Sequence, residues 1–246
     1  MSGLSKISIV LFLLLSMILA SLLSLQYLPV RIINGFEVTG CEQTYQISKM
    51  LTPLIGRGYY QIRKRALRHN LEQLPYVRHA EAGYENGKLS VSITAPSESL
   101  ILKSRNSSYF LDDSSLMLLD PKDDPALKRM YIVLELGDGY LEYLLKYGFD
   151  PFFRSTVDAL MKLDAYHNLI DKAEYDNNKS TGKGELRLAL GPVNAKLRVY
   201  DSLSPGRLET VIAVIRDEQW KEGRNVFLSS ATEYELRSGQ LIRLKG

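Results

Sequence analysis

The chain has 246 residues, of which 45% are hydrophobic and 24% are charged, and its formal net charge at pH 7 is +3. This balance excludes a largely disordered chain, and so small a net charge gives no argument for nucleic acid as a partner. The single cysteine, Cys41, excludes an internal disulfide, so core packing must hold the fold together.

Residues 7–28 form an uncharged, strongly apolar run near the N-terminus. About 20 helical residues cross the hydrocarbon core of a bilayer, so this run predicts a single transmembrane helix in contact with lipid. Residues 1–6 are then a short cytoplasmic head, and the rest of the chain lies beyond the membrane. Two alternatives stay open: a cleaved signal peptide, with Ala20 before the cut, and a buried globular helix.

Residues 30–98 have the pattern of one small unit in the order strand, helix, helix, strand, strand. A β-branched stretch that ends at Gly40 predicts the first strand. Apolar residues at helical spacing predict one helix from Thr44 to about Gly56 and a second over about residues 61–74.

A hairpin closes this unit. Asn86-Gly87 tolerates the positive φ angles of a tight turn. After it, Leu89, Val91 and Ile93 alternate with polar residues, which predicts a strand with one buried and one wet face.

The second predicted helix is basic, with Arg57, Arg63, Lys64, Arg65 and Arg68 in or beside it. These residues could meet anionic lipid headgroups or an acidic partner. They could equally be the solvated face of an amphipathic helix.

Residues 99–246 mix short strands and helices with mainly hairpin connections, which predicts an α+β unit with a largely antiparallel sheet. Asp150-Pro151 and Ser204-Pro205 have the pattern of helix starts. Three strands are expected near the C-terminal end, over about residues 225–230, 233–237 and 240–244.

The first unit resembles a POTRA domain. The resemblance is carried by Val38-x-Gly40 at the end of the first strand, by Leu74-Pro75-Tyr76-Val77 after the second helix, and by Ala80. The closing strand ends at Pro96, as in that family, but without the charged pair that usually precedes the proline.

With the second unit added, the chain resembles the FtsQ/DivIB family of bacterial cell division proteins over nearly all its length. Three segments carry this resemblance: Tyr109-Phe110-Leu111-Asp112, Leu190-Gly191 with Lys196-Leu197, and Val226-Phe227-Leu228-Ser229 followed by Leu236-Arg237. The resemblance implies a transmembrane helix at residues 7–28, a POTRA domain (β-α-α-β-β) at 30–98 and a β domain at 99–246.

The resemblance also implies a function. Proteins of this family are non-enzymatic, membrane-anchored divisome scaffolds at the division septum, in the bacterial inner membrane with their C-terminal domains in the periplasm. They bind the single-pass coiled-coil division proteins FtsB and FtsL and link them to septal cell-wall synthesis. The POTRA domain is a further surface for other divisome proteins.

A partner strand is expected to add to a sheet edge, because an unpaired edge offers free backbone N–H and C=O groups. By analogy with the family, this partner-binding surface is placed at Ser229, Ser230, Ala231, Tyr234 and Leu236. The alternative for these residues is an ordinary C-terminal strand with a solvated edge.

Residues that would carry catalysis or bind a metal or cofactor do not form a recognisable pattern. His69, His79 and His167 lie in unrelated segments without ligand spacing, and Cys41 has no histidine near it in sequence. We therefore expect no enzyme, metal or cofactor. Two other functions stay open: a POTRA-containing transport or outer-membrane assembly component, and an anchored extracytoplasmic enzyme.

Overall fold

The computed structural model describes residues 11–21, 31–113, 115–163, 168–178, 183–200, 202–222 and 230–245, and the statements below concern these residues. They form an α+β protein with a three-stranded sheet and a nine-stranded sheet. The α+β class expected from the sequence is therefore confirmed, and the large sheet is mixed.

The elements of the first unit are β1 (Gly35–Thr39), α1 (Tyr45–Leu51), α2 (Lys64–Leu71), β2 (His79–Glu85) and β3 (Lys88–Thr94). Their order is the one that the sequence pattern predicts. The small sheet has the strand order β1-β3-β2, with β1 parallel to β3 and β2 antiparallel to it. Asn86 and Gly87 join β2 to β3 with φ angles of 48° and 80°, the left-handed conformation that a two-residue hairpin turn requires.

Both helices of this unit are shorter than expected. A 3-10 turn at Thr52–Leu54 replaces the end of the first helix, and the second helix begins only at Lys64, after another 3-10 turn at Tyr59–Gln61. Thr44 caps α1, its hydroxyl oxygen accepting a hydrogen bond from the backbone N–H of Ile47 at 3.3 Å.

The strands of the large sheet are β4 (Ser99–Lys103), β5 (Ser108–Asp112), β6 (Leu116–Leu118), β7 (Val133–Leu136), β8 (Lys172–Asn178), β9 (Lys183–Leu190), β10 (Ala195–Val199), β11 (Thr232–Arg237) and β12 (Gln240–Lys245). Their order in the sheet is β12-β11-β10-β9-β8-β7-β4-β5-β6. Five of the neighbouring strand pairs are antiparallel, and three are parallel, namely β10 with β11, β4 with β7, and β7 with β8.

Helices cover one face of this sheet. They are α4 (Asp138–Tyr147), α5 (Pro151–Met161) and α6 (Pro205–Lys221). A further short helix, α3 (Asp124–Leu127), connects β6 to β7 along the chain. Leu141 of α4, Phe153 of α5 and Ile212 of α6 belong to one buried cluster with the inward side chains of the strands. On the opposite face, β8 to β11 carry mainly charged side chains.

Strands β4 and β5 contribute to two cores at once. Leu100 and Leu102 point to the cluster beneath the helices. Ile101 and Phe110 point the other way and pack into the core of the first unit. Alternation along a strand makes this possible, since successive side chains face opposite sides of a sheet.

The predicted transmembrane helix over residues 7–28 is wrong. In the part of the chain that the structure describes, no helix is long and apolar enough to cross a membrane. Residues 11–21 of this segment are helical. Residues 7–10 and 22–28 lie outside the described residues. Single-pass anchoring through this segment is therefore not supported.

Candidate functional site

The candidate site is the free edge of the large sheet at its C-terminal end. Ser238 and Gly239 turn the chain with φ angles of 50° and 80° and fold β12 back along β11. Strand β11 is paired on both sides, with β10 and with β12. Strand β12 is last in the strand order, so among the described residues its outer side pairs with nothing.

The predicted partner-binding residues fall in three different environments. Ser229 lies outside the described residues, Ser230 is exposed, and Ala231 is half-buried just before β11. Tyr234 and Leu236 are both only 1% exposed and belong to the core beneath the helices. These two side chains are therefore not available to a partner, and the exposed edge lies one strand further along, at β12.

The burial of Tyr234 has a local reason. Its hydroxyl oxygen accepts a hydrogen bond from Nε2 of Gln219 at 2.7 Å, and Oε1 of Gln219 accepts one from the Thr232 hydroxyl at 3.2 Å. All three side chains are buried, so this chain of hydrogen bonds fastens β11 to α6.

The register of the hairpin shows which backbone groups of β12 are free. Because the turn has two residues, Arg237 and Gln240 form its first hydrogen-bonded pair, and such pairs alternate along an antiparallel ladder. The N–H and C=O groups of Leu241 and Arg243 then point away from β11, whereas those of Ile242 point toward it. The free edge therefore offers two donors and two acceptors in the spacing that an added strand requires.

The side chains of β12 divide between the two faces of the sheet. Leu241 packs against the core. Ile242 lies on the other face of the sheet, where it is paired with Glu235 of β11. Ile242 is 43% exposed and Leu244 is 45% exposed. A partner strand beside them would cover apolar surface as well as satisfy the backbone.

An ion pair holds β12 in place. Arg243 Nη1 lies 2.7 Å from Glu218 Oε1, and Arg243 Nη2 donates to Glu222 Oε2 at 3.0 Å, both carboxylates being on α6. The hydrogen bond to Glu222 raises the pKa of Arg243 above its usual range.

The pairing of β11 with β12 contains a β-bulge. The register shifts between Glu233 and Tyr234, where Leu244 is the extra residue on β12. This bulge confines regular pairing at the edge to residues 240–243.

The described residues hold no group of three or more side chains that could bind a metal ion. The Sγ atom of Cys41 lies 3.7 Å from Sδ of Met130, and burial raises the pKa of the thiol to about 11. A thiol with this pKa is protonated at neutral pH and is a poor nucleophile. His167 lies outside the described residues.

The fold and the outer side of β12, which is unpaired in the described part of the chain, define an α+β protein of two units whose large sheet can accept a partner strand at β12. No family model matches the chain, and no curated protein matches it. The resemblance to the FtsQ/DivIB family stays a prediction.

Proposed function

We propose that the protein is a non-enzymatic scaffold of bacterial cell division, which holds a strand of an FtsB- or FtsL-type protein against β12. The observation that carries this proposal is the free β12 edge, with the backbone groups of Leu241 and Arg243 facing outward beside exposed Ile242 and Leu244. Such an edge is a template for a partner strand.

The core positions of the first unit support the resemblance on which the proposal rests. Val77 and Ala80, two residues of the POTRA-like motif, are buried. Gly40, the motif glycine, has a φ of +79°, which side chains rarely tolerate. The motif residues therefore stand where the packing of a small β-α-α-β-β unit needs those residue types.

Strand addition is tested with charge introduced at the edge. Ile242→Lys/Leu244→Lys places two cations where the partner strand must approach, a device that natural proteins use to block edge pairing. The full-chain protein is titrated against extracytoplasmic segments of FtsB- and FtsL-type proteins by calorimetry. We expect the double variant to bind at least roughly tenfold more weakly.

The matched control is Val214→Lys, which changes an apolar residue of similar exposure, 48%, on α6 to lysine. We expect it to bind like the wild type. Equal binding by the double variant, or no binding of either division protein to the wild type, would contradict the proposal. Turnover of a cell-wall substrate or co-purification with outer-membrane proteins would favour the two alternative functions instead.

Hydrogen exchange adds a readout specific to strand addition. On binding, the amides of Leu241 and Arg243 should become protected. The amide of Ile242 already faces β11 and should change little. Protection of all three amides to the same degree would indicate a contact other than an added strand.

A further inference from the structure

The positive charge of the chain is concentrated in one segment. Residues 43–71 contain six lysine and arginine residues and no aspartate or glutamate. The net charge of the whole chain is +3, so the remainder carries +3 − 6 = −3. Residues 43–71 are therefore a strongly positive segment in an otherwise slightly acidic chain.

Five side chains form what we call the basic face: Arg31, Arg57, Arg63, Lys64 and Arg65, all exposed. Two depressions of about 560 and 330 Å³ lie on this face. The first is lined by Arg63, Lys64 and Arg65 and the second by Arg57 and Arg63, so Arg63 connects them. The guanidinium of Arg31 lies over the ring of Tyr60, 5.9 Å from its centroid, at the border of the first depression.

The three arginines of the depressions, Arg57, Arg63 and Arg65, have no carboxylate at ion-pairing distance among the described residues. Arg68 differs, since its Nε lies 2.8 Å from Oε1 of Glu72. Three guanidinium groups in water, close together and without internal counter-ions, favour an external anion.

Apolar side chains project from the same surface. Tyr60 is 65% exposed, and Ile32 and Ile55 are also exposed. Backbone hydrogen bonds hold them beside the arginines, from Ile33 N to Arg57 O at 3.1 Å and from Tyr59 N to Arg31 O at 2.8 Å. Basic residues around a tyrosine and isoleucines are typical of a surface that meets lipid headgroups.

The chain enters this face at Arg31 from the N-terminal helix of residues 11–21. The large apolar side chains of that helix are all more than half exposed. Nine residues lie between positions 21 and 31, so the end of the helix is at most about 35 Å from Arg31. A bilayer surface would cover the apolar helix and neutralise the arginines. An acidic protein or a nucleic acid would neutralise the arginines but would leave the apolar helix uncovered.

We propose that the basic face docks on the anionic headgroup surface of a lipid bilayer. The contact is peripheral and requires no helix across the membrane. It places the first unit against the bilayer, and it is independent of what β12 binds.

Flotation with vesicles tests the proposal on the full-chain protein. Vesicles of phosphatidylcholine alone are compared with vesicles that also contain phosphatidylglycerol. We expect stronger binding to the anionic vesicles, which added salt weakens. The variant Arg57→Gln/Arg63→Gln/Arg65→Gln should lose roughly a hundredfold in partition to anionic vesicles, since each basic residue near the surface contributes about fivefold.

The control Lys146→Gln/Lys162→Gln/Lys221→Gln makes the same change in net charge at exposed positions of the second unit. It should partition like the wild type. Equal binding to both vesicle types, or equal loss in the two triple variants, would overturn the proposal. So would binding of an acidic polymer such as polyglutamate or single-stranded DNA in preference to the anionic vesicles.

Fluorescence reports whether this particular face meets the lipid. Trp220 is the only tryptophan, so Tyr60→Trp in a Trp220→Phe background carries one probe, which lies on the basic face. Its emission should shift to the blue with anionic vesicles and stay unchanged with phosphatidylcholine alone. An unchanged emission in protein that has floated with the anionic vesicles would place the contact elsewhere.

Discussion

The hydroxyl of Tyr76 lies at the centre of a buried polar contact between the two units. It donates to Oδ2 of Asp123 at 2.8 Å and lies 2.7 Å from Oγ1 of Thr44. The other carboxylate oxygen of Asp123 accepts from the backbone N–H of Gln46 at 2.9 Å. Burial, above all, raises the pKa of Tyr76 beyond its usual range, so the hydroxyl stays protonated and can donate. This contact couples the start of α1 to the loop before α3.

We expect Tyr76→Phe to lower the free energy of unfolding by about 1–3 kcal/mol. The ring still fills its place, but the buried carboxylate of Asp123 loses a donor that no water replaces. Urea denaturation measures the difference. Tyr143→Phe is the control, since Tyr143 is 48% exposed and its change should stay within about 0.5 kcal/mol. A loss no larger than that of the control would show that the contact contributes nothing net.

The end of β1 depends on Gly40. Its φ is +79°, and a Cβ added there would overlap the carbonyl oxygen of Ile93 in β3. We expect Gly40→Ala to lower the free energy of unfolding by about 2 kcal/mol or more, from left-handed strain and the clash together. Thermal unfolding of the full chain is the measurement.

Gly206, in the first turn of α6, provides the contrast. A Cβ added there meets nothing within 4 Å, and alanine favours a helix over glycine by up to about 1 kcal/mol. Gly206→Ala should therefore leave stability unchanged or raise it. If both glycine variants unfold at the wild-type temperature, the assigned conformation at Gly40 is incorrect.

Local patterns predict several elements well, because the information lies within a few residues. The alternation at Leu89, Val91 and Ile93 and the helix start at Asp150-Pro151 both appear in the structure. The sequence analysis does not predict helix α4, because Gly137 and Gly139 at its start are typical of a loop. The pattern that could have revealed it follows them, with Tyr140, Leu141 and Leu144 all buried on one side.

The free edge was harder to predict than the strands themselves. The sequence predicts strands around residues 233–237 and 240–244, and β11 and β12 lie there, whereas all but the last residue of the strand predicted over about 225–230 lies outside the described residues. Which of them is outermost depends on the parallel pairing of β10 with β11 across α6, a contact between segments far apart in sequence. Local patterns carry no information about such pairing, which is why the predicted partner-binding surface includes the buried Tyr234 and Leu236.

The two units share strands that contribute to both hydrophobic cores. The sequence pattern separates them at residue 98, yet Ile101, Phe110 and Leu127 complete the hydrophobic core of the first unit. The ring of Phe110 lies edge-on to Tyr131 at 5.0 Å and to Tyr76 at 6.4 Å. Strands β4 and β5 therefore belong structurally to both cores, and loss of either core exposes apolar side chains of the other.

This arrangement predicts that the described part of the chain unfolds as one cooperative unit. Phe110→Ala should lower the free energy of unfolding by about 3–5 kcal/mol and should destabilise both sheets together. Hydrogen exchange of the β2–β3 amides and of the β8–β9 amides, followed through a urea series, should give coincident midpoints in the wild type and in the variant. Leu118→Ala, at a position 65% exposed, is the control and should leave both midpoints in place. Two separate midpoints, with only the β2–β3 amides responding to Phe110→Ala, would mean that the shared strands do not couple the cores.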